Sequence, residues 1–364
     1  MKHSWRIVLP VVVSLALLVG CPPAGKQVRV IGVWGGSELK VFNNIIDAFE
    51  KNNDVNVEFE STRDINALLT SRIEAGNPPD FAILPQLSLV VDLGRRKTLV
   101  DLSTLLDMDA VRKSYSQSWI DLGSVDGTFY GLFFKTAIKG LVYYNPREFK
   151  KLNLQVPNTW DEMLALSDKL VTMGKTPWSI AIESGDASGW PATDWIENIF
   201  VRRYGPEQYR KWYDGELPWT SPEVKTAFRM FGHFATDKTM AYGGPDGVIS
   251  TSFQEAGTPV FSNPPQAYMV QQASFMVGII RDAYPDLVTG EDINFFVLPP
   301  INPQYTAVEI GGDSLVAFRD TPEVRAFLRY LATAEAQSYF AATGATMPNK
   351  DVPLSAYGSD IDRS

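Results

Sequence analysis

Val28-Arg29-Val30-Ile31-Gly32-Val33 reads as a short apolar strand that runs into Trp34-Gly35-Gly36, after which Leu39, Phe42, Ile45, Ile46 and Phe49 recur at helical spacing. A second strand follows at Val55 to Glu60, with Val55, Val57 and Phe59 facing one way. A helix from about Asp64 to Ala75 is stopped by Gly76, and Asn77-Pro78-Pro79 turns the chain into the apolar strand Phe81 to Leu84. Strand, helix, strand, helix, strand in that order predicts an α/β fold, a parallel sheet with helices on its faces.

The second half continues in the same style. Leu141-Val142-Tyr143-Tyr144 forms a strand ended by Pro146, and a passage into another lobe is expected between Lys135 and Asn145. Thr159 and Glu162 spell a capping box at the start of a helix from Trp160 to Thr172. Ser221 and Thr321 are each followed by proline and then glutamate, a helix-opening pattern. The last helix, Pro322 to Ala342, lines up Val324, Phe327, Leu328 and Leu331 on one face and stops at Gly344.

At the N-terminus, Lys2 and Arg6 precede an apolar or small stretch from Ile7 to Val19. It is shorter than the ~20 residues needed to span a bilayer, so residues 1–20 read as a cleaved signal peptide. The only cysteine, Cys21, follows Leu18-Val19-Gly20, an order that resembles the lipobox of bacterial lipoproteins. That resemblance implies a lipidated Cys21, a tether over residues 21–27, and a body held at the outer face of the cell membrane, the periplasmic side if a second membrane exists. No cysteine is left for a disulfide.

Removing Lys2 and Arg6 leaves 31 basic and 42 acidic residues, a net charge of −11, so nucleic acid is not an expected partner. About 340 mature residues exceed what one core usually supports, and 45% apolar content argues against disorder, so two lobes are expected. The mature chain has one histidine, His233, within the helical pattern Val224 to Ala235. A multi-histidine metal site is thereby excluded, and no metal is expected. With no glycine-rich phosphate loop, no cofactor is expected either.

Gly189-Trp190-Pro191-Ala192-Thr193-Asp194-Trp195 packs two indoles and a carboxylate into seven residues, and Trp34 sits beside the glycines that end the first strand. A pyranose offers an apolar C–H face to an indole and a rim of hydroxyls to carboxylates, amides and guanidinium groups, so a sugar site needs both types together. Ordinary core packing is the alternative for each of these tryptophans. Loops after the carboxyl ends of parallel strands are where such ligands bind.

Five segments carry a wider likeness: Gly76-Asn77-Pro78-Pro79-Asp80, Asp126-Gly127-Thr128-Phe129-Tyr130-Gly131, Pro157-Asn158-Thr159-Trp160-Asp161-Glu162, Gly189 to Trp195, and Gly311-Gly312-Asp313. Through them the chain, from about Val28 to Lys350, resembles an extracellular solute-binding protein of ABC sugar-uptake systems. The Gly189 to Trp195 run and Glu291-Asp292-Ile293-Asn294-Phe295-Phe296 with Pro299-Pro300 resemble the α-glucoside branch. The resemblance implies a two-lobed periplasmic-binding-protein-like fold of type II, each lobe a sheet flanked by helices, with the ligand in the interlobe cleft. The first lobe is expected over 28–137 and 292–314 and the second over 138–291 and 315–364, with crossings near Lys135 to Lys139, Asp292 and Leu315. Relatives usually continue well past Pro348-Asn349-Lys350, so a C-terminal truncation that bares the apolar face of the Pro322 helix is also expected.

The expected ligand-binding residues are Trp34, Glu38, Arg63 and Gln86 on the first lobe, Lys135 at the crossing, Trp190, Asp194, Trp195, Gln272 and Phe275 on the second, and Gly312 and Asp313 where the chain returns. The resemblance implies a monomeric receptor, not an enzyme, whose partners are a sugar and the transmembrane subunits of an ABC permease. Two rivals remain at this point: a lipid-anchored glycoside hydrolase using a carboxylate pair, and a surface sugar-sensing or adhesion receptor.

Overall fold

Two sheets organise the chain, and the computed structural model describes residues 26–358 of it. The expected signal peptide, the lipidated Cys21 and most of the tether lie outside the described residues. The first sheet holds β1 (Gln27–Gly32), β2 (Asn56–Ser61), β3 (Phe81–Leu84) and β4 (Leu132–Ile138). The second holds β5 (Leu141–Tyr144), β6 (Trp178–Ser179), β7 (Met269–Gln272) and β8 (Asn294–Val297), and β9 (Ile310–Ala317) returns to the first. The orders are β2-β1-β3-β9-β4 and β8-β5-β7-β6.

The expected strand and helix alternation is present: α1 (Gly36–Glu50), α2 (Ile65–Glu74) and α3 (Leu87–Arg95) follow β1, β2 and β3 in turn. β1 pairs in parallel with β2 and with β3, as the pattern predicts. β9 instead runs antiparallel to both β3 and β4, so the sheet is mixed. The reason is connectivity: β4 carries the chain out toward the second sheet, and β9 brings it back through the same end, in the opposite direction.

The expected lobe boundaries in the last third are corrected. β8 belongs to the second sheet, pairing with β5, so the return falls between Val297 and Ile310 and not near Asp292. Leu315 lies inside β9, hydrogen-bonded within the first sheet. The helix expected from Pro322 to Ala342 is two, α8 (Pro322–Leu331) and α9 (Ala334–Ala341), the second capped by the Thr333 hydroxyl. Both pack on the first lobe. Val324, Phe327 and Leu328 are fully buried there and Leu331 nearly so, so the apolar face expected to be bare is covered by α1 and the first sheet.

In the second lobe, α4 (Trp160–Thr172) begins with the predicted capping box. α5 (Trp190–Tyr204), α6 (Pro222–Ala235) and α7 (Met276–Ala283) complete the layers used below. Trp178, Trp195 and Phe234 form the aromatic centre of this lobe's core. Among the described residues no helix is long and apolar enough to cross a membrane.

Phe327 meets Phe49 at 4.9 Å, Phe81 at 6.1 Å and Phe42 at 6.4 Å between ring centroids, joining α8 to α1 and the sheet. Phe327→Ala leaves a cavity among these rings, and the expected loss is about 3–5 kcal/mol. Urea unfolding of the variant against the parent checks it; a loss below about 1 kcal/mol would mean that α8 is not part of this core.

Candidate functional site

The site is built around two lysines four residues apart, one on each side of the lobe crossing. Lys135 lies on β4 directly opposite Asp313 of β9, and a bulge at Asp313/Ser314 sets that pairing. Gly312 permits the close approach, because a Cβ there would lie 2.9 Å from the Phe133 ring and 3.1 Å from the Lys135 carbonyl oxygen. The Lys135 ammonium is 3.1 Å from Asp313 and donates to Glu38, in the first turn of α1. Burial alone pushes its pKa down, but the Glu38 and Asp313 charges outweigh burial and hold it above the usual lysine range.

Trp34 is drawn into the same network, its Nε1 donating to Asp313 at 2.8 Å. It is 1% exposed and packed against Phe42 and Phe340, so it does not offer the open ring face expected of it. Trp34, two residues past the end of β1, enters the core because Phe42 of α1 and Phe340 of α9 close over it. Trp195 is likewise 1% exposed, in the second core.

The Gly189 to Trp195 run is the N-cap and first turns of α5. Helical spacing explains how its residues divide. Trp190 and Asp194, four apart, share a face, whereas Trp195 is turned about 100° from Asp194 and points into the lobe. On the shared face stands Lys139, its ammonium 2.5 Å from Asp194 and 4.6 Å from the Trp190 ring centroid. Trp190 packs edge-on against Phe253 and tilted against Phe275, at 5.0 and 6.1 Å.

These rings meet first-lobe cations. The Arg63 guanidinium lies 5.1 Å over Phe253, and the Lys135 ammonium 5.9 Å from the Phe275 ring centroid. Glu38, Arg63, Lys135, Asp313, Trp190, Asp194 and Phe275 therefore converge where the lobes face each other. Two others are engaged elsewhere: the Gln86 amide, at the start of α3, accepts from Asn66 at 3.2 Å, and the buried Gln272 amide accepts from the Ala273 backbone.

Sequence reading missed Lys139, Phe253, Asn198 and Glu309. Lys139 lay inside the expected crossing and could have been found by its spacing from Lys135. Glu309 had no such signal, since its place depends on the return from β8. Its backbone oxygen accepts from Lys139 N at 2.9 Å and its carboxyl from the Asn198 amide, also at 2.9 Å. Gly140 sits under this junction with φ +74°, and a Cβ there would lie 2.4 Å from Asn198 Oδ1.

Three carboxyls, Asp194, Glu197 and Glu309, surround the one Lys139 ammonium. Glu309 is pushed well above the ordinary carboxyl range, first by burial and then by the Asp194 and Glu197 charges. Burial and the neighbouring carboxylates thus favour the neutral form of Glu309, against the pull of Lys139, which pairs with Asp194.

A carboxyl whose native pKa is raised binds a proton that the unfolded chain has already released. Its contribution is lost as pH rises from its ordinary value, 4.5, through the raised native value. Glu309→Gln removes that dependence. The unfolding midpoint of the variant minus that of the parent is expected to rise as pH climbs above 4.5; thermal melts over a pH series check the sign, and a falling difference would refute a raised Glu309.

The model of the bacterial extracellular solute-binding protein family matches residues 35–338. The chain is 34% identical over 361 residues to an osmoprotective compounds-binding protein of Synechocystis, covering 97% of this chain and 85% of that one. It is also 34% identical over 352 residues to an alpha-glucosides-binding periplasmic protein of Rhizobium meliloti, covering 92% and 75%. A solved chitin oligosaccharide binding protein superposes with TM-score 0.79 at 19% identity, covering 93% of this chain and 85% of that one, and so shares the two-lobed type II fold. On the family match and these two relatives, the chain belongs to the bacterial extracellular solute-binding protein family.

Proposed function

We propose that this protein captures a neutral glycoside, an α-glucoside or a related oligosaccharide, between its lobes and delivers it to the transmembrane subunits of an ABC importer. The observation that carries the reading is the wall of Trp190, Phe253 and Phe275 on the second lobe, facing Arg63 and Lys135 of the first. Aromatic faces suit the C–H side of a pyranose, while Glu38, Asp313 and Asp194 supply acceptors for hydroxyls. The relative described as binding alpha-glucosides supports the same ligand class. Membership of a binding family makes the chain a receptor and not a hydrolase, so the carboxylates act as hydrogen-bond partners. Lipidation of Cys21 would hold the receptor at the membrane beside its permease.

Ligand-driven hinge closure is the established behaviour of periplasmic binding proteins. Closure here follows if the sugar contacts both lobes, since a ligand shifts the equilibrium only by its differential affinity for open and closed forms.

Calorimetric titration of the purified protein with a panel of α-linked disaccharides tests the proposal. Saturable binding of intact sugar supports it; absence of heat with every sugar would reject the ligand class, and recovery of cleaved sugar would reject the receptor. Trp190→Ala removes one ring of the wall and is expected to weaken sugar binding by ~30-fold, about 2 kcal/mol, with little change in folding. Unchanged affinity would take Trp190 out of the site.

A further inference from the structure

Glu309 lies on the segment by which the chain returns from β8 to β9, yet its side chain reaches α5 of the second lobe. Its carboxyl accepts from the Asn198 amide at 2.9 Å and meets the Glu197 carboxyl in a side-chain hydrogen bond. Two carboxyls can form such a bond only when one of them carries a proton. Glu309 is the donor, because the Tyr209 hydroxyl donates to Glu197 at 2.5 Å and favours the charge there. Tyr209 stands on the helix Pro206–Tyr213. The charged groups facing the pair are Asp194 of α5 and Lys139 of the outgoing crossing, which are bound to each other.

The backbone makes this a hinge position. Lys139 N donates to the Glu309 carbonyl oxygen, so the outgoing and returning crossings meet here. The Asn198 amide donates to Glu309 and also, at 2.8 Å, to the Asp194 carbonyl oxygen, which links the junction to the helical turn that carries Trp190 and Asp194. We infer that Glu309 is a positioning residue for sugar capture, which shares one proton with Glu197 and so fastens the returning crossing to α5 beside the Asp194–Lys139 pair. The inference rests on the reading of the interlobe site as a sugar site. With the proton in place, one ammonium faces two carboxylates. Without it, one ammonium faces three, two of them in contact, and like charges so placed repel. The crossing then loosens from α5, and Trp190 and Asp194 lose their fixed place opposite the first lobe. Glu197 and Glu309 are both half-buried, so the proton can exchange with solvent.

Calorimetric titration with maltose, trehalose and sucrose tests this, using the purified protein and its Glu309→Gln and Glu309→Ala variants over a pH series that climbs past 4.5. The shared proton is bound in the clasped form, so parental sugar affinity is expected to fall as pH rises, by up to roughly tenfold per pH unit for one linked proton. The glutamine amide can donate to Glu197 at every pH, so Glu309→Gln is expected to bind with a flat profile. Glu309→Ala has no clasp and is expected to bind about tenfold more weakly than Glu309→Gln throughout. A parental pH slope retained in Glu309→Gln would leave Glu309 a merely structural residue and overturns the inference. Infrared difference spectra of the parent against Glu309→Gln, taken without sugar over the same pH series, read the proton directly. A protonated-carboxyl band that outlasts the ordinary glutamate range and vanishes in Glu309→Gln supports the shared proton; its absence overturns it. Failure of every sugar to bind the parent at any pH rejects the sugar reading, and the infrared band still decides whether the clasp exists.

Discussion

The buried ion pair between Lys135 and Asp313 is the interaction on which the rest of the molecule depends. It joins β4, the strand by which the chain leaves the first sheet, to β9, the strand by which it returns. Glu38 ties the same ammonium to α1, and Trp34 ties Asp313 to the core. Removing one partner of such a buried pair costs about 3–5 kcal/mol, because the other charge is left uncompensated. The network thus specifies where the second lobe is attached as well as how the first is closed.

A related arrangement lies four residues on. Lys139 pairs with Asp194 and stands over Trp190, with Glu309 close by, so each side of the crossing presents an ammonium held by carboxylates beside an aromatic ring. Gly140, next to Lys139, accepts a backbone conformation that brings Asn198 against it. Because the charges are balanced mostly within the protein, a neutral polyhydroxylated ligand can share their hydrogen-bonding capacity without adding a net charge to a buried space. An ionic ligand would meet groups already satisfied.

Much of the fold was legible because local patterns carried it. The β1 to β3 alternation, the Thr159–Glu162 capping box and the Ser221 and Thr321 helix starts rest on periodicity and on hydrogen bonds within a few residues. The lobe assignment of β8, β9, α8 and α9 was not legible. These elements read alike whichever lobe receives them, and their destination depends on strand pairing between residues more than 100 positions apart. The same limit explains the site. Asp194 could be nominated from its neighbours, whereas Trp34 and Trp195 could not be told from exposed indoles until the helices covering them were placed.

By itself, then, the sequence determined the α/β class, the two-lobe size, most element boundaries and the solute-receptor family, since each follows from spacing, composition or motif. Tertiary structure alone decided which lobe the chain rejoins, which tryptophans are core, and how Lys139 and Glu309 meet. Those outcomes are set by burial and by long-range pairing, which depend on the whole chain's packing and leave no mark in any short stretch of residues.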